Sequence, residues 1–422
     1  MTKTFSMCFL LRCILDFVIV LAATNTMLAQ SEKVVVLDHA DSLIGLVIDG
    51  EQARQLVGNV RFHQDNIIVT CRRAVQYRES NKITFEGEAE VWDGKMRMVG
   101  SRGVYYGDTK IAEAFERVML EESTTTLKAA YGKYFAEEKR AYFSTDVSVE
   151  DPISLMLCNE LTYFREEQKS IAVGSVKITN NRNGLNIYGN HFENFKKQKF
   201  SRMTEQPMVV QIDTLSDGKR DTLIVRSKIM EAYQDTLERL IATDSVTITR
   251  GELAAEAGVC SFFTVLDSMI LHKSPVIWYS TGEHGDNQVS GDSIFIKLQK
   301  RKLETVYVRG DAFTISRADS IYRNRFHQMT GQEIILRFSG DQIYSIDVDR
   351  TATSLYYLFD KARGNGVNKS TGDHVTILFS EGKVDALKVI GGTEGQYFPE
   401  KMILKRENDY NLPGFNWKER KK

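Results

Sequence analysis

The sequence is poor in proline, and neither sign of charge prevails. Only 5 prolines occur in 422 residues, against 29 glycines. Because a proline lacks the backbone N–H that a strand ladder needs, this balance favours extended sheets. The 55 basic and 56 acidic residues nearly cancel. No excess of positive charge points to nucleic acid, and we predict no nucleic-acid partner.

The cysteines are too few and too scattered for a disulfide framework. Two of the five fall in the first 29 residues, which leaves Cys71, Cys158 and Cys260, an odd number in a chain that we expect to be exported. Cys71 and Cys158 hold the same position of a repeat, three units apart. We interpret both as small apolar residues that fill a recurring slot, in preference to a redox or metal role.

Catalytic and metal-binding motifs are missing as well. The seven histidines include no pair at i and i+4, and the sequence has no nucleophile elbow and no phosphate-binding loop. Acidic pairs such as Glu166 and Glu167 fall in charged turns, where solvated side chains are expected. The sequence therefore indicates no catalytic residue, no metal site and no cofactor, and we predict that the chain is not an enzyme.

Residues 1–29 have the layout of a secretory signal peptide. Basic residues precede an apolar run from Cys13 to Ala23, and small and polar residues follow up to Ala29, after which we place the cleavage site. Asp16 interrupts the apolar run, and Met27 occupies a position where a small residue is usual. A retained membrane anchor therefore stays open as an alternative, although the uninterrupted run is shorter than the about 20 residues that span a bilayer.

Apolar residues recur every 29 positions in two ladders that lie two residues apart. The first ladder is Val60, Ala89, Val118, Val147 and Val176, and the second is Phe62, Val91, Leu120, Val149 and Ile178. Apolar and polar residues alternate within each unit, which is typical of half-buried strands. Two short strands cannot bury an apolar face alone, so the repeat predicts stacked rungs that share one core.

Each unit also carries a small residue with an aromatic residue three positions later. The first such corner is Ala74 with Tyr77, and a charged turn from Arg78 to Lys82 follows it. The corner recurs as Gly103 with Tyr106, Gly132 with Phe135, and Leu161 with Phe164, where leucine departs from the rule. Because small residues permit close backbone approach, we predict that the sheet folds sharply there.

After residue 180 the spacing loosens, but the units can be followed to a total of about ten. We predict repeat regions over residues 36–195 and 225–396, separated by an insertion or hinge hairpin at 196–224. Residues 397–422 form a basic C-terminal tail. Either this tail frays, or Phe415 and Trp417 anchor a partner or fold back as a cap on the last rung.

The strand start from Gly58 to Phe62, the corner from Ala74 to Tyr77 and their iteration resemble the OstA-like family, over roughly residues 36–396. That family includes the periplasmic bridge protein of lipopolysaccharide transport, in which each strand pair is one rung of a taco-shaped β-jellyroll open along one side. The resemblance implies an all-β, repeat-built, folded-over sheet of about ten two-strand units. It also implies export to the periplasm of a Gram-negative envelope.

The resemblance implies lipid binding by the ten ladder residues, which would form one continuous apolar stripe. Burying a chain of about 12 carbons there would gain on the order of 10 kcal/mol over exposure to water. The implied partners are lipopolysaccharide or lipid A, and other components of a transport bridge that dock through edge strands. End-to-end self-association is a further option.

Two other interpretations stay open. The same stripe is also compatible with a packed core, in which case the chain would be a structural or adhesive exported β-solenoid without a lipid ligand. A repeat-built enzyme acting on polysaccharides ranks last, because no cluster of carboxylates recurs at a fixed position of the repeat.

Overall fold

The computed structural model describes residues 36–64, 67–92, 94, 96–181, 184–214, 220–280, 286–299, 302–319, 321–339, 342–360, 363–380 and 383–420. The predicted signal peptide at 1–29 lies outside these residues. The chain divides into an N-terminal unit that ends at Pro207 and a C-terminal unit that begins at Met208. Within the described ranges, no helix has the length and apolar character needed to cross a membrane.

The N-terminal unit is a meander of antiparallel strands, in which each strand from β3 onward pairs with the next. The short strands β1 and β2 both pair with β3. The strands are β1 (Val36–His39), β2 (Ser42–Ile48), β3 (Glu51–Gln64), β4 (Ile67–Tyr77), β5 (Lys82–Trp92), β6 (Met96–Tyr106), β7 (Ile111–Glu122), β8 (Thr125–Phe135), β9 (Arg140–Glu150), β10 (Ser154–Phe164), β11 (Lys169–Asn180), β12 (Leu185–Phe195) and β13 (Phe200–Thr204).

The C-terminal unit continues the antiparallel pattern and ends in two short helical turns. Its elements are β14 (Met208–Thr214), β15 (Arg220–Arg226), β16 (Ile229–Tyr233), β17 (Arg239–Arg250), β18 (Leu253–Phe263), β19 (Ser268–His272), β20 (Val276–Ser280), β21 (Asp286–Ser290), β22 (Ser293–Gln299), β23 (Lys302–Arg317), β24 (Phe326–Ser339), β25 (Gln342–Asp360), β26 (Arg363–Ser380), β27 (Lys383–Ile390), β28 (Glu394–Phe398), α1 (Glu400–Ile403) and a 3-10 turn (Glu407–Tyr410). In several rungs two short strands share one long neighbour, as β27 and β28 share β26.

The strands of the N-terminal unit bend at a two-residue bulge. Gly58 and Asn59, with φ of 79° and 46°, lie opposite the single residue Arg72, between the pairs Val57–Arg73 and Val60–Cys71. Two residues against one is the definition of a β-bulge, which bends its strand and increases the local twist. The same left-handed pair returns every 29 residues, at 87–88, 116–117, 145–146 and 174–175. The predicted fold of the sheet at the small residues therefore lies close to the observed bulges. The bulged strand bends at the left-handed pair, and the small residues, such as Ala74, lie on the neighbouring strand.

Left-handed pairs also mark the later rungs, at the looser spacing seen in the sequence. They occur at 205–206, 244–245, 273–274, 310–311, 350–351 and 391–392, which with the first five makes eleven. The sequence predicted about ten. The all-β, repeat-built, folded-over sheet is thus confirmed. The predicted domain limits stay predictions, although the division after Pro207 falls within the predicted hinge region 196–224.

The C-terminal unit has two apolar clusters on opposite faces of its sheet. The inner cluster includes Ile294, Val308, Ile334 and Ala352, all fully buried. The second cluster combines strand residues with Ile403 and Leu412 of the C-terminal segment. Of the alternatives for the tail, the structure shows the one that folds back: Phe415 and Trp417 pack against Phe326.

Candidate lipid-binding site

The second ladder forms an unbroken apolar row across ten neighbouring strands. Each member is the registered partner of the next, because the bulges keep the same residues in line from rung to rung. The row is Phe62, Val69, Val91, Met98, Leu120, Leu127, Val149, Met156, Ile178 and Ile187. Five of these residues were predicted, and the intervening strands supply the other five.

The first ladder lies beside the bulges, and each of its members faces a small residue. The registered pairs are Val60 with Cys71, Ala89 with Gly100, Val118 with Ala129, Val147 with Cys158 and Val176 with Gly189. The four valines of this ladder are almost fully buried. A branched residue opposite a small one fills the inner corner without forcing the strands apart.

A third row on the same face lies on the other side of the bulges, and the site prediction did not include it. Its registered members are Leu56, Ala74, Phe85, Gly103, Ala114, Gly132, Phe143, Leu161, Ala172, Phe192 and Met203. The 29-residue spacing of Phe85, Ala114, Phe143 and Ala172 was the available signal. The Phe143 ring lies only 3.2 Å from the point where a Cβ on Gly132 would stand, so the glycine makes room for the ring.

The inner face is accessible at its N-terminal end and closed further along. Phe62, Val69, Val91 and Met98 of the second ladder are half-buried. From β7 to β11 the row is buried, as at Leu120, Leu127, Val149, Met156 and Ile178, and it is half-buried again at Ile187 in β12. The third row is buried at Leu56 and Ala74, half-buried at Phe85 and Ala114, and buried again at Phe143 and Ala172. The longest half-buried stretch of the second ladder therefore lies on the first rungs, from β3 to β6.

The ten predicted residues all lie in register on this inner face, but they do not share one environment. Phe62, Ala89 and Val91 are half-buried. The buried members are Val60, Val118, Leu120, Val147, Val149, Val176 and Ile178. The sequence placed all ten on one face and could not distinguish the open end from the packed part.

The cysteines of the two units are buried and unpaired. Burial raises the pKa of Cys71 to about 11 and the pKa of Cys158 to about 12. Both thiols therefore stay protonated at neutral pH, where the thiolate would be the nucleophile or metal ligand. This environment agrees with a slot-filling role.

An open groove of about 1050 Å³ follows the bulges of the first four rungs, and its lining includes Val60 and Val118 of the first ladder. Its walls also carry exposed charged side chains of both signs, among them Arg72, Glu88, Arg117, Lys128 and Asp146. Arg72 pairs with Glu88 at 3.4 Å. These charges make the groove less suitable for acyl chains than the apolar row. In the portion of the chain that the structure describes, no group of three His, Cys, Asp or Glu side chains could hold a metal ion.

Comparison with known proteins identifies the first part of the chain. Residues 32–186 match the family model described as OstA-like protein. The match covers less than half of the chain, but it includes every residue of the two predicted ladders. The predicted resemblance is thus confirmed for this region. No curated protein matches the chain.

Proposed function

Because residues 32–186 form an OstA-like region, we propose that the N-terminal unit shields lipid acyl chains on its inner face and carries lipopolysaccharide between the inner and outer membranes. The observation that supports this proposal is the change in exposure along the apolar row. Half-buried Phe62 and Val91 leave apolar surface open on β3 to β6. Three steps of about 4.8 Å between these four strands give an open track of about 14 Å.

The energetics of the open track suit reversible lipid binding. Each CH₂ group removed from water contributes about 0.8 kcal/mol. An acyl chain lying across Phe62, Val91 and Met98 would therefore be held firmly, while the open side lets it leave. The packed part of the row, from Leu120 to Ile178, offers no comparable surface.

A structural role for the C-terminal unit is the second candidate. The centre of its inner cluster is closed, with Ile294, Val308 and Ile334 fully buried, and half-buried residues such as Leu298 and Phe338 border it. The packed centre supports a solenoid body with a dry core, as in the alternative interpretation of the sequence. We assign the lipid to the N-terminal unit, because that unit carries the family match.

We further propose that the protein acts in the periplasm and docks to other transport-bridge components through its N-terminal edge. Within the described part of the chain, β2 pairs with β3 and with no second strand. Leu43, Ile44 and Val47 of β2 are exposed. An apolar, uncharged edge strand is a template for another strand, from a different component or from a second copy.

Site-specific photo-crosslinking in cells tests the carrier function. A photo-reactive residue at Phe62 or Val91 should crosslink to lipopolysaccharide, because both positions lie on the open track. The same residue at buried Val147 should not. Leu157, an exposed leucine on the opposite face of β10, controls for contact with lipid at the surface.

Equal lipid crosslinking at Val91 and Leu157 would contradict the proposal. Mass spectrometry of protein purified from its host provides a second test, since a carrier should retain lipid after extraction of the membranes. Protein that is free of lipid and fails to bind added lipid A would favour the dry solenoid.

A further inference from the structure

The C-terminal segment crosses the outer face of the C-terminal unit instead of joining its sheet. Ile277, Val289, Ala312 and Met329 belong to the inner cluster. Because side chains alternate along a strand, their neighbours in the sequence point to the opposite face. These neighbours are Trp278, Gln288, Phe313 and Gln328, and residues 411–420, which we call the strap, lie over them.

Two glutamine side chains hold the strap by its backbone. Gln288 donates from Nε2 to the Asn416 carbonyl and accepts from the Lys418 N–H, both at 2.7 Å. Gln328 accepts from the Leu412 N–H at 2.9 Å and donates to the Asn411 side chain at 2.6 Å. Both glutamines are only 1 % exposed. A buried amide needs partners for its donor and its acceptor, and here the strap supplies them.

Apolar pockets between the glutamines receive three strap side chains. Leu412 is buried in the cluster with Phe313, Ile315 and Phe326. Trp417 packs on Phe326 with ring centroids 5.1 Å apart, and Phe415 does so at 5.3 Å. The Trp278 indole donates from Nε1 to the Lys418 carbonyl at 2.9 Å.

The turn before the strap is fixed by a buried ion pair, whereas hydrogen bonds and ring packing hold the strap itself, and its ion pairs are exposed. Upstream of it, the fully buried Arg325 forms two hydrogen bonds to Glu400, at 2.6 and 3.1 Å. At the far end Arg317 pairs with Glu419, and Arg420 pairs with Glu252. The side chains of Glu419 and Glu252 are 82 % and 81 % exposed, so these ion pairs contribute little. Release of the strap would therefore break the hydrogen bonds of Gln288 and Trp278 and those of Arg420 to the Gly251 and Glu252 carbonyls, while the buried ion pair of the turn could stay in place.

We propose that this outer face is an exchangeable peptide-recognition site, which the strap fills in cis. Its ligand is a segment of a partner protein with the pattern of the strap, a leucine that opens a Pro-Gly turn and aromatic residues three and five positions after the leucine. In the strap this turn is closed by the Phe415 N–H, which donates to the Leu412 carbonyl at 3.0 Å. Gln288 binds backbone groups that any peptide has, whereas the Gln328 contact with Asn411 and the pockets select side chains. The face suits an apolar partner, because without the strap it would expose Trp278, Phe313 and Phe326 together. The proposal does not depend on lipid binding by the N-terminal unit.

Binding of a strap peptide in trans tests this site in the full-length protein. The probe is a fluorescent synthetic peptide with the sequence of residues 411–420, measured by anisotropy. The variant Phe415→Ala/Trp417→Ala weakens the strap in cis, so it should bind the probe at least about tenfold more tightly than the wild type, in which the tethered strap competes. A probe with alanine at the same two positions should bind neither protein.

Substitution of a residue on the outer face beneath the strap distinguishes specific recognition of the probe from non-specific hydrophobic binding. In the Phe415→Ala/Trp417→Ala background, Gln288→Met should weaken probe binding about fivefold, since one hydrogen bond is worth about 1 kcal/mol. Gln396→Met on exposed β28 is the matched control and should leave binding unchanged.

Two results would overturn the proposal. One is a Phe415→Ala/Trp417→Ala variant that is folded by circular dichroism and binds no probe. The other is a variant that loses its fold, which would make the strap an integral part of the core. Hydrogen exchange of the wild type gives an independent readout: amides 415–420 should exchange by local opening, and exchange only through global unfolding would also refute exchangeability.

Discussion

Val147 and Cys158 face each other as a registered pair across β9 and β10, with both side chains almost fully buried. The thiol fills the slot that Ala129 fills beside Val118 one rung earlier. Burial raises the pKa of Cys158 from 9.0 to about 12. The pair therefore links packing on the inner face to the response of the fold to alkaline pH.

We predict that Cys158 makes the protein less stable as pH rises above 9. Above that value the unfolded chain loses the thiol proton while the folded chain keeps it, so the folded state binds more protons and the free energy of unfolding falls. Cys158→Ala should reduce this loss by about 1 kcal/mol between pH 9 and 10, because part of the unfolded thiol is already deprotonated at pH 9. Urea denaturation at both pH values measures the free energy of unfolding. Val118→Ala faces Ala129 and lies three strands away from Cys158, so it removes packing and should leave the pH dependence unchanged.

The rungs could be predicted from the sequence because every unit buries the same face of its strands, so apolar side chains recur at the same positions. Val60 and Phe62 fall on one face for the same reason in every unit, so periodicity was enough to place the ladders. The bulges were less visible. Gly58 and Gly87 suggest them, but the same left-handed conformation is occupied by Glu116 and Arg117 in β7, where no residue type signals it.

Because non-glycine residues in the bulges have strained backbone conformations, we predict that a glycine substitution stabilises the bulge at Thr145. Thr145 is β-branched and has φ of 67°, a conformation that costs L-residues about 1–2 kcal/mol. Thr145→Gly should therefore raise the free energy of unfolding by about 0.5–1 kcal/mol, after the entropy cost of glycine. Thr84→Gly, within β5, should lower it instead. Chemical denaturation compares the two, and a loss of stability in both variants would contradict the prediction.

The difference between half-buried and packed parts of the inner face could not be predicted, because the repeat places Val91 and Val147 in two ladders on the same face and does not indicate which of them is covered. Their environments depend on what covers each rung, and that is a tertiary property. Likewise, basic residues after 400 suggested a tail, while its attachment depends on Gln288 and Gln328, distant strand residues whose polarity carried no signal of this contact.

These two valines should respond differently to truncation. Val147→Ala should destabilise the protein by about 2 kcal/mol, since it leaves a cavity in a closed core. Val91→Ala should cost less than about 1 kcal/mol, because the side chain is half-buried. Val91→Asp should weaken lipid A binding with little loss of thermal stability. If Val91→Asp binds lipid A like the wild type, the open track is not the lipid site.

Glu400 stabilises the C-terminal turn because it is the main charge partner of the buried Arg325. Neutralising Glu400 as Gln leaves a buried guanidinium without its main charge partner, and breaking such a pair typically costs about 3–5 kcal/mol. Arg325 also donates a hydrogen bond to Glu407 and lies over the rings of Tyr322 and Tyr357 in cation–π contacts. These remaining contacts should keep the cost of Glu400→Gln at the lower end of that range. Asp409→Asn, which breaks the exposed pair with Arg406, should cost less than about 1 kcal/mol. Thermal unfolding of both variants gives the comparison.

The two ends of the strand meander differ in a way that predicts which one associates. The outer strand β2 is free of charge, with Ile44 exposed, whereas β27 carries exposed Asp385 and Lys388. Lysine on an edge strand discourages pairing because addition of a second strand would bury its charge. Ile44→Lys should therefore abolish concentration-dependent association of the wild type in sedimentation velocity. Leu387→Lys, an equally exposed leucine on β27, should leave association unchanged, and an equal effect of both substitutions would show that the uncharged edge is not the docking surface.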